Sequence, residues 1–320
     1  MLGFGIGIYN RLFPAPPPAP TISFGKLAKI PFPTKGGLPN LEYTLQTVTG
    51  DLPQLPTQAK VYYMAKPGAS LSSLENAKTK ASSLGFTTSP TSVSQSVYRF
   101  KNPLVPATLE VNIISGVFSI SYDLGLDPTP LSQRPPAPEV AQANVKNFLS
   151  SAGLLFEDIS RGQATTDFLK IQSQQLVPAI SLSESSLLRV NLFRSDYDEI
   201  PSLTPNPTRG NIWFLVSGDT IREKQILGGE YHYFPVDQTQ SSTYPIKTAT
   251  QAYDDLTNGR GYIADLGLNT NGKITIRKVY LAHYDPDVET DFFQPIIVFE
   301  GDNGFMAYVP AVADSYYQKD

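Results

Sequence analysis

Three helix-forming segments, each with its own stop signal, interrupt a chain that otherwise alternates apolar and polar residues with a period of two. This pattern limits the fold more than any other feature, because a period of two puts one side of each segment on the buried face of a sheet. The first segment, SLSSLENAKTKASSLGF, sets Leu74, Ala77, Ala81 and Leu84 at helical spacing and stops at Gly85. The second, PEVAQANVKNFLSSAGLL, has Pro138 at the first helical position, a stripe of Val140, Val145, Phe148 and Leu149, and Gly153 at its end. The third, TATQAYDDLTNGRGYI, carries a T-x-x-Q capping box at Thr248 and Gln251 and closes at Gly259.

Strands follow each helix. In ATLEVNIISGVFSISYDL, Leu109, Val111 and Ile113 alternate, Ser115-Gly116 turns, and Phe118, Ile120 and Tyr122 alternate back. FLKIQS, LLRVNLFRS and NIWFLVSG follow the second helix; KITIRKVYLAHY, FFQPIIVFEG and FMAYVPAV follow the third. Ile274 and Ile276 share one parity, Val279 and Leu281 the other, so a bulge near Arg277-Lys278 is expected. The last two strands are joined by the turn-rich Gly301-Asp302-Asn303-Gly304. Helix then antiparallel strands, three times over, predicts an α+β fold of repeated helix-plus-antiparallel-sheet modules. The chain's 320 residues exceed the usual one-core length, and the proline-rich stretch Asp123 to Pro138 marks a boundary. The expected division is an N-terminal domain over 36–130 and a C-terminal domain over 131–320.

The N-terminus reads differently. Met1 to Tyr9 is apolar and uncharged, followed by Asn10, Arg11, Leu12 and Phe13. Nine helical residues reach about 14 Å, half of a roughly 30 Å hydrocarbon core. No basic n-region or small-residue cleavage site marks a signal peptide. Residues 1–13 read as an anchor stub, the end of a membrane helix, with Tyr9, Arg11 and Phe13 suited to an interface. Residues 14–35, opening with PAPPPAPT, read as a stiff polyproline stalk that contributes nothing to the core. On that reading, removing Met1 to Pro33 leaves a folded body.

Composition narrows the function. Charged residues are 17%, below the roughly 25% of an average soluble domain, and 28 prolines are nearly twice the usual share. The net charge of −4 comes with no Lys/Arg block, which excludes the phosphate-neutralising footprint of a nucleic-acid binder. No cysteine is present, so disulfides, thiolate catalysis and most structural zinc sites are excluded together. A cysteine-free chain fits the bacterial cytosol and the bacterial envelope equally well, while a surface of neutral hydrogen-bonding groups is common among secreted and cell-surface proteins.

The segment TYPIKTATQAYDDLTNGRGYI, with IRKVYLAHYDP, FFQPIIVFEG and FMAYVPAV after it, resembles the last module of PepSY-like and YycI/YycH-type extracytoplasmic proteins. The likeness covers residues 244–312. The whole chain is similar to single-pass bacterial envelope proteins with stalks like FPAPPPAPTISFGKLAKIPFP. The resemblance implies a non-enzymatic accessory or regulatory domain held outside a membrane. It departs from the family at the N-terminus, where a full spanning helix is expected.

Catalytic motifs fail on context. Gly3, Gly5 and Gly7 lack the strand and helix of a dinucleotide site. GLNTNGKI has Ile274 where a P-loop needs a hydroxyl for magnesium. SFGK, Ser23 to Lys26, lacks the partner motifs of an S-x-x-K enzyme. His232 and His283 sit in aromatic strands, where packed histidines are the common case. A carboxylate-pair glycosidase depends on a geometry that sequence does not display.

Two candidate sites remain. Asp285, Asp287, Glu289 and Asp291 crowd one loop, and clustered oxygen ligands suit calcium, although Thr290 and Ile296 break the EF-hand pattern. No other cofactor is expected. RSDYDEIP, Arg194 to Pro201, is a weaker acidic turn. Tyr280, Tyr284, Phe292, Phe293, Phe305 and Tyr308 fall on both faces of their strands. Either the second face packs against the preceding domain, or Tyr284, Phe292 and Tyr308 form a partner-binding surface. The reading is a membrane-anchored, extracytoplasmic binding or regulatory module with a protein partner and no catalysis. A structural surface subunit is the alternative, and an envelope hydrolase the third.

Overall fold

A computed structural model describes residues 18–68 and 70–319. Three stretches of chain divide the work. The first supplies β1 (Glu42–Leu45) and β2 (Gln58–Met64). The second opens with α1 (Ser73–Ser83), β3 (Thr91–Ser92), β4 (Val97–Lys101), β5 (Ala107–Asn112) and β6 (Phe118–Tyr122). It continues with α2 (Pro138–Ser151), α3 (Glu157–Arg161), β7 (Ala164–Gln172), β8 (Gln175–Pro178) and β9 (Leu187–Leu192). It ends with β10 (Ser202–Leu203), β11 (Ile212–Val216) and β12 (Ile226–Tyr231). The third holds β13 (Val236–Pro245), α4 (Ala249–Thr257), β14 (Tyr262–Asp265), β15 (Lys273–Tyr284), β16 (Phe292–Gly301) and β17 (Met306–Pro310).

The middle stretch builds a nine-stranded sheet, ordered β3-β4-β5-β6-β12-β11-β9-β7-β8. Its alternation is strict: Phe118, Ile120 and Tyr122 of β6 are buried, Ser119 and Ser121 exposed. The buried face receives α2 through Ala141, Val145 and Leu149, and α1 through Ala77 and Ala81. The linker Asp123 to Pro138 connects β6 to α2, both of which belong to this one assembly.

An eight-stranded sheet joins the two outer stretches and takes in β10 of the middle one. The hairpin β15–β16 is its spine. β1 and β10 pair in parallel with opposite ends of β15. β17 and β2 pair antiparallel with opposite ends of β16, and β13 pairs with β2. The register slips between Ile276 and Lys278, where the parity change lies. One of the two sheets curls into a half-barrel. The helix α4 covers one face through Ala249, Ala252 and Leu256, and its Thr248–Gln251 capping box forms.

The fold is therefore β-rich, two large sheets, and not the expected α+β series of repeated helix-plus-sheet modules. The reason lies in long-range pairing. β6 pairs with β12, which merges two expected modules into one sheet, while β1 and β2 cross the whole chain to reach β15 and β16. Local periodicity specifies a strand's faces but not its neighbour.

The expected stalk is also corrected over residues 18–35. Leu27 is wholly buried and Ile30 nearly so. The Leu27 N–H donates to the Tyr316 carbonyl at 2.8 Å, and Gln318 N–H donates back to Leu27 at 2.9 Å. Ile22 N–H reaches the Thr243 carbonyl at 3.1 Å, and Tyr244 Oη donates to Gly25 at 3.1 Å. Proline excludes this stretch from a sheet interior but not from lying across one. It is a strap. Residues 1–13, the expected anchor, lie outside the described residues.

Candidate functional site

The acidic loop after β15 does not gather its carboxylates. Asp285 turns inward and accepts from Arg194 Nε at 2.9 Å. Asp287 is half-buried, and its backbone carbonyl accepts from His232 Nδ1 at 2.8 Å. Glu289 is exposed, and Asp291 pairs with Lys66 at 2.7 Å. Among the described residues, no group of three or more His, Cys, Asp or Glu side chains could hold a metal ion.

Tyr284 and Tyr308 lie in the interior, 2% and 0% exposed. Their face of the eight-stranded sheet is covered by the strap: Phe32 stacks on Tyr262 at 5.0 Å and meets Tyr284 edge-on at 4.9 Å. Tyr308 Oη donates to the Thr204 carbonyl at 3.1 Å. Phe292 is half-buried and rests against Phe24, with ring centroids 5.1 Å apart. The second aromatic face thus packs on the chain's own N-terminal residues.

Asp285 belongs instead to a buried charge cluster at the junction of the two sheets. Arg194, just beyond β9, binds Asp285, the α3 carboxylate Asp158, and the Phe234 carbonyl at 3.0 Å. Tyr197 and Tyr233 each donate a hydroxyl to Asp158 at 3.1 Å. The Tyr233 ring lies 4.8 Å from the guanidinium carbon and Phe293 lies 5.7 Å from it. Burial opposes the guanidinium charge, but Asp285 and Asp158 outweigh it and hold Arg194 above its usual pKa. Gly162 makes the approach feasible: a Cβ there would sit 1.8 Å from the Phe193 carbonyl oxygen. With the Arg194 side chain 1% exposed and its carboxylate partners 9% and 6%, the cluster is a rivet. Arg194 was visible only as part of an acidic turn, because its partners lie far away in sequence.

His283 is equally enclosed. It stacks on Phe293 at 4.9 Å, and its Nε2 lies 3.2 Å from the Lys60 carbonyl. Burial, the dominant cause, pushes its pKa from 6.5 down to about 4; Lys60 adds to the drop, while the Lys60 carbonyl and Asp198 oppose it. The unfolded chain therefore takes up a proton that the folded chain refuses. Stability should be insensitive to this residue above about pH 6.5 and fall by about 3 kcal/mol as pH drops from about 6.5 to about 4. Urea midpoints across that window should show this slope in the native protein and a shallower one in His283→Phe. Equal slopes would mean the ring protonates in place.

One concave site is open to solvent and apolar inside. The buried stripe of α1 is Ala77 and Ala81, where α2 buries Val145 and Leu149, and the small side chains leave unfilled space between α1 and β5 and β6. The resulting cleft holds about 260 Å³. Ala77, Ala81 and Leu84 form one wall, and Leu109, Val111 and Phe118 the other. Its mouth is polar, with Ser73, Asn76, Lys80, Asn112 and Ser115. Lys80 is exposed and makes no ion pair among the described residues. The sequence showed these alanines as a helix stripe; that a small-residue stripe opens a cleft depends on what it faces.

No family model and no curated protein matches the chain. Among solved structures it is similar to an uncharacterised protein from Eubacterium rectale, at a TM-score of 0.43 and 11% identity, over 83% of this chain and 86% of that one. No helix among the described residues is long and apolar enough to cross a membrane.

Proposed function

We propose that the protein is a non-catalytic binding module of the bacterial envelope, with its ligand's apolar end seated in the α1 cleft. The cleft is the observation that carries this reading. Its volume is just under the roughly 300–1,000 Å³ of drug-sized sites, so a short apolar group fits it better than a whole cofactor. Lys80 and the serine and asparagine mouth favour an acidic or hydrogen-bonding head on that group. Absence of catalysis is consistent with the two histidines, each hydrogen-bonded to a backbone carbonyl. Envelope attachment rests on the apolar Met1 to Phe13 sequence and the charge-poor composition.

Medium-chain carboxylates such as octanoate are the probe. Calorimetry should show one saturable site, weakened at least about tenfold by Ala77→Leu/Ala81→Leu. The same pair should leave the melting temperature unchanged or higher, because the new methyl groups fill space already lined by apolar atoms. Undiminished binding by that variant would place the site elsewhere and overturn the proposal. Membrane fractionation of the full chain against a chain starting at residue 18 tests the attachment separately. Equal partitioning would remove the anchor from the reading.

A further inference from the structure

The helices pack on one face of the nine-stranded sheet; on the opposite face Leu169, Leu187 and Asn191 are buried, Trp213, Leu215 and Glu230 half-buried, and Ser119 and Ser121 exposed. Strand register sets its side chains in rows. One row runs Asn191, Trp213, Glu230, Ser119 and Glu110 across β9, β11, β12, β6 and β5. The next runs Leu215, Gly228 and Ser121. Trp213 is the only tryptophan of the chain, half-buried on a central strand. Its Nε1 donates to Glu230 Oε2 at 3.1 Å, and the Arg209 guanidinium lies 5.7 Å from its ring. The indole is thus held in place from two sides. Gly228, between Leu215 and Ser121 in register, carries no side chain and lies under Leu215, whose Cδ1 would be 3.5 Å from a Cβ there.

The charges of the face cancel locally. Arg99 pairs with Glu110 at 2.6 Å and Arg189 with Asp167 at 2.8 Å. A face neutralised this way offers little field to a polyanion such as nucleic acid. It also lacks the apolar centre of a stable protein interface, since Trp213 and Leu215 stand among polar neighbours. What it offers is a flat aromatic ring amid hydroxyls and carboxylates: Ser119 exposed, Thr108 and Ser121 bonded to each other at 2.8 Å. Beside Trp213 in register, Asn191 is wholly buried and its Oδ1 meets no donor. Its Nδ2 is committed to Thr165 and Asp167.

We propose that this face binds a neutral, extended polysaccharide, one sugar ring stacking its C–H side on Trp213 while neighbouring hydroxyls bond Glu230, Ser119 and Ser121. A sugar presents both an apolar face and a rim of hydroxyls, and this combination matches an indole set in a polar ladder. Adjacent strands repeat every 4.8 Å or so, a spacing suited to successive residues of an extended chain. The site is separate from the α1 cleft, on the other side of the sheet.

A single tryptophan makes the test direct. The full chain is titrated with β-1,4-linked glucose and N-acetylglucosamine tetrasaccharides, following intrinsic fluorescence. A saturable change in Trp213 emission with either one is expected. By calorimetry, Trp213→Ala should weaken binding about tenfold or more, and Trp213→Phe by no more than about threefold. Ser121→Arg, at an exposed position that leaves the core alone, should weaken it about tenfold as well and covers the case in which Trp213→Ala fails to fold. No saturable response to either sugar, unchanged affinity in Ser121→Arg, or tighter binding of heparin or an oligonucleotide would each overturn the proposal.

Discussion

Arg194→Met is expected to lower the unfolding free energy by about 3–5 kcal/mol, the range for removing one partner of a buried ion pair. Two carboxylates, Asp158 and Asp285, would then be left buried without their cation, and both lie at the sheet junction. The triple variant Arg194→Met/Asp158→Asn/Asp285→Asn should recover a large part of that loss, since no uncompensated charge remains. Chemical denaturation of the three proteins at pH 7 measures both steps. A single variant within about 1 kcal/mol of wild type would show that water reaches Asp158 and Asp285, and the rivet would be disproved.

The second large effect concerns the strap. Two truncated chains, beginning at residue 18 and at residue 36, should behave very differently. Leu27 and Ile30 together account for about 3–6 kcal/mol of apolar burial, and the aromatic face of Tyr262, Tyr284 and Tyr308 loses its cover with them. The shorter chain should melt broadly and bind an apolar dye; the longer should unfold cooperatively. Leu27→Ala in the full chain isolates one contact and should cost about 2–5 kcal/mol. If the chain starting at 36 unfolds with an unchanged midpoint, the strap is packing without consequence.

What sequence reading recovered was local. The Thr248–Gln251 capping box, the turn at Ser115-Gly116 and the bulge at Arg277-Lys278 each depend on residues a few positions apart, and each forms. What it missed was distant. Nothing near Arg194 announces Asp158 and Asp285, and nothing in PAPPPAPTISFGKLAKI announces that Leu27 bridges to Tyr317. The same gap explains the aromatic face. Alternation places Tyr284 and Tyr308 among aromatics on both faces of their strands and suggests a partner-binding surface; both are buried, and cover from the chain's own N-terminus looks identical in sequence to cover from a partner. The open polar face of β5 and β6 was readable from ATLEVN and FSISY; the place of Trp213 upon it required the pairing of β11 with β12.

Met64 pairs with Val236, so every residue between them forms one excursion from a single pair of neighbouring strands. Closing that excursion in an unfolded chain carries an entropy penalty that grows with the logarithm of its length. Once the nine-stranded sheet has formed, its two ends already lie side by side and most of that penalty has been met. The pairing predicts an order of assembly, checkable by pulse-labelled amide exchange: protection in the inner sheet before protection in β1 and β2, whose partners β15 and β16 come last in the chain. Contacts this distant slow folding. The waiting strands, exposed at their edges, are the part of the chain most in need of shielding before the final strands arrive.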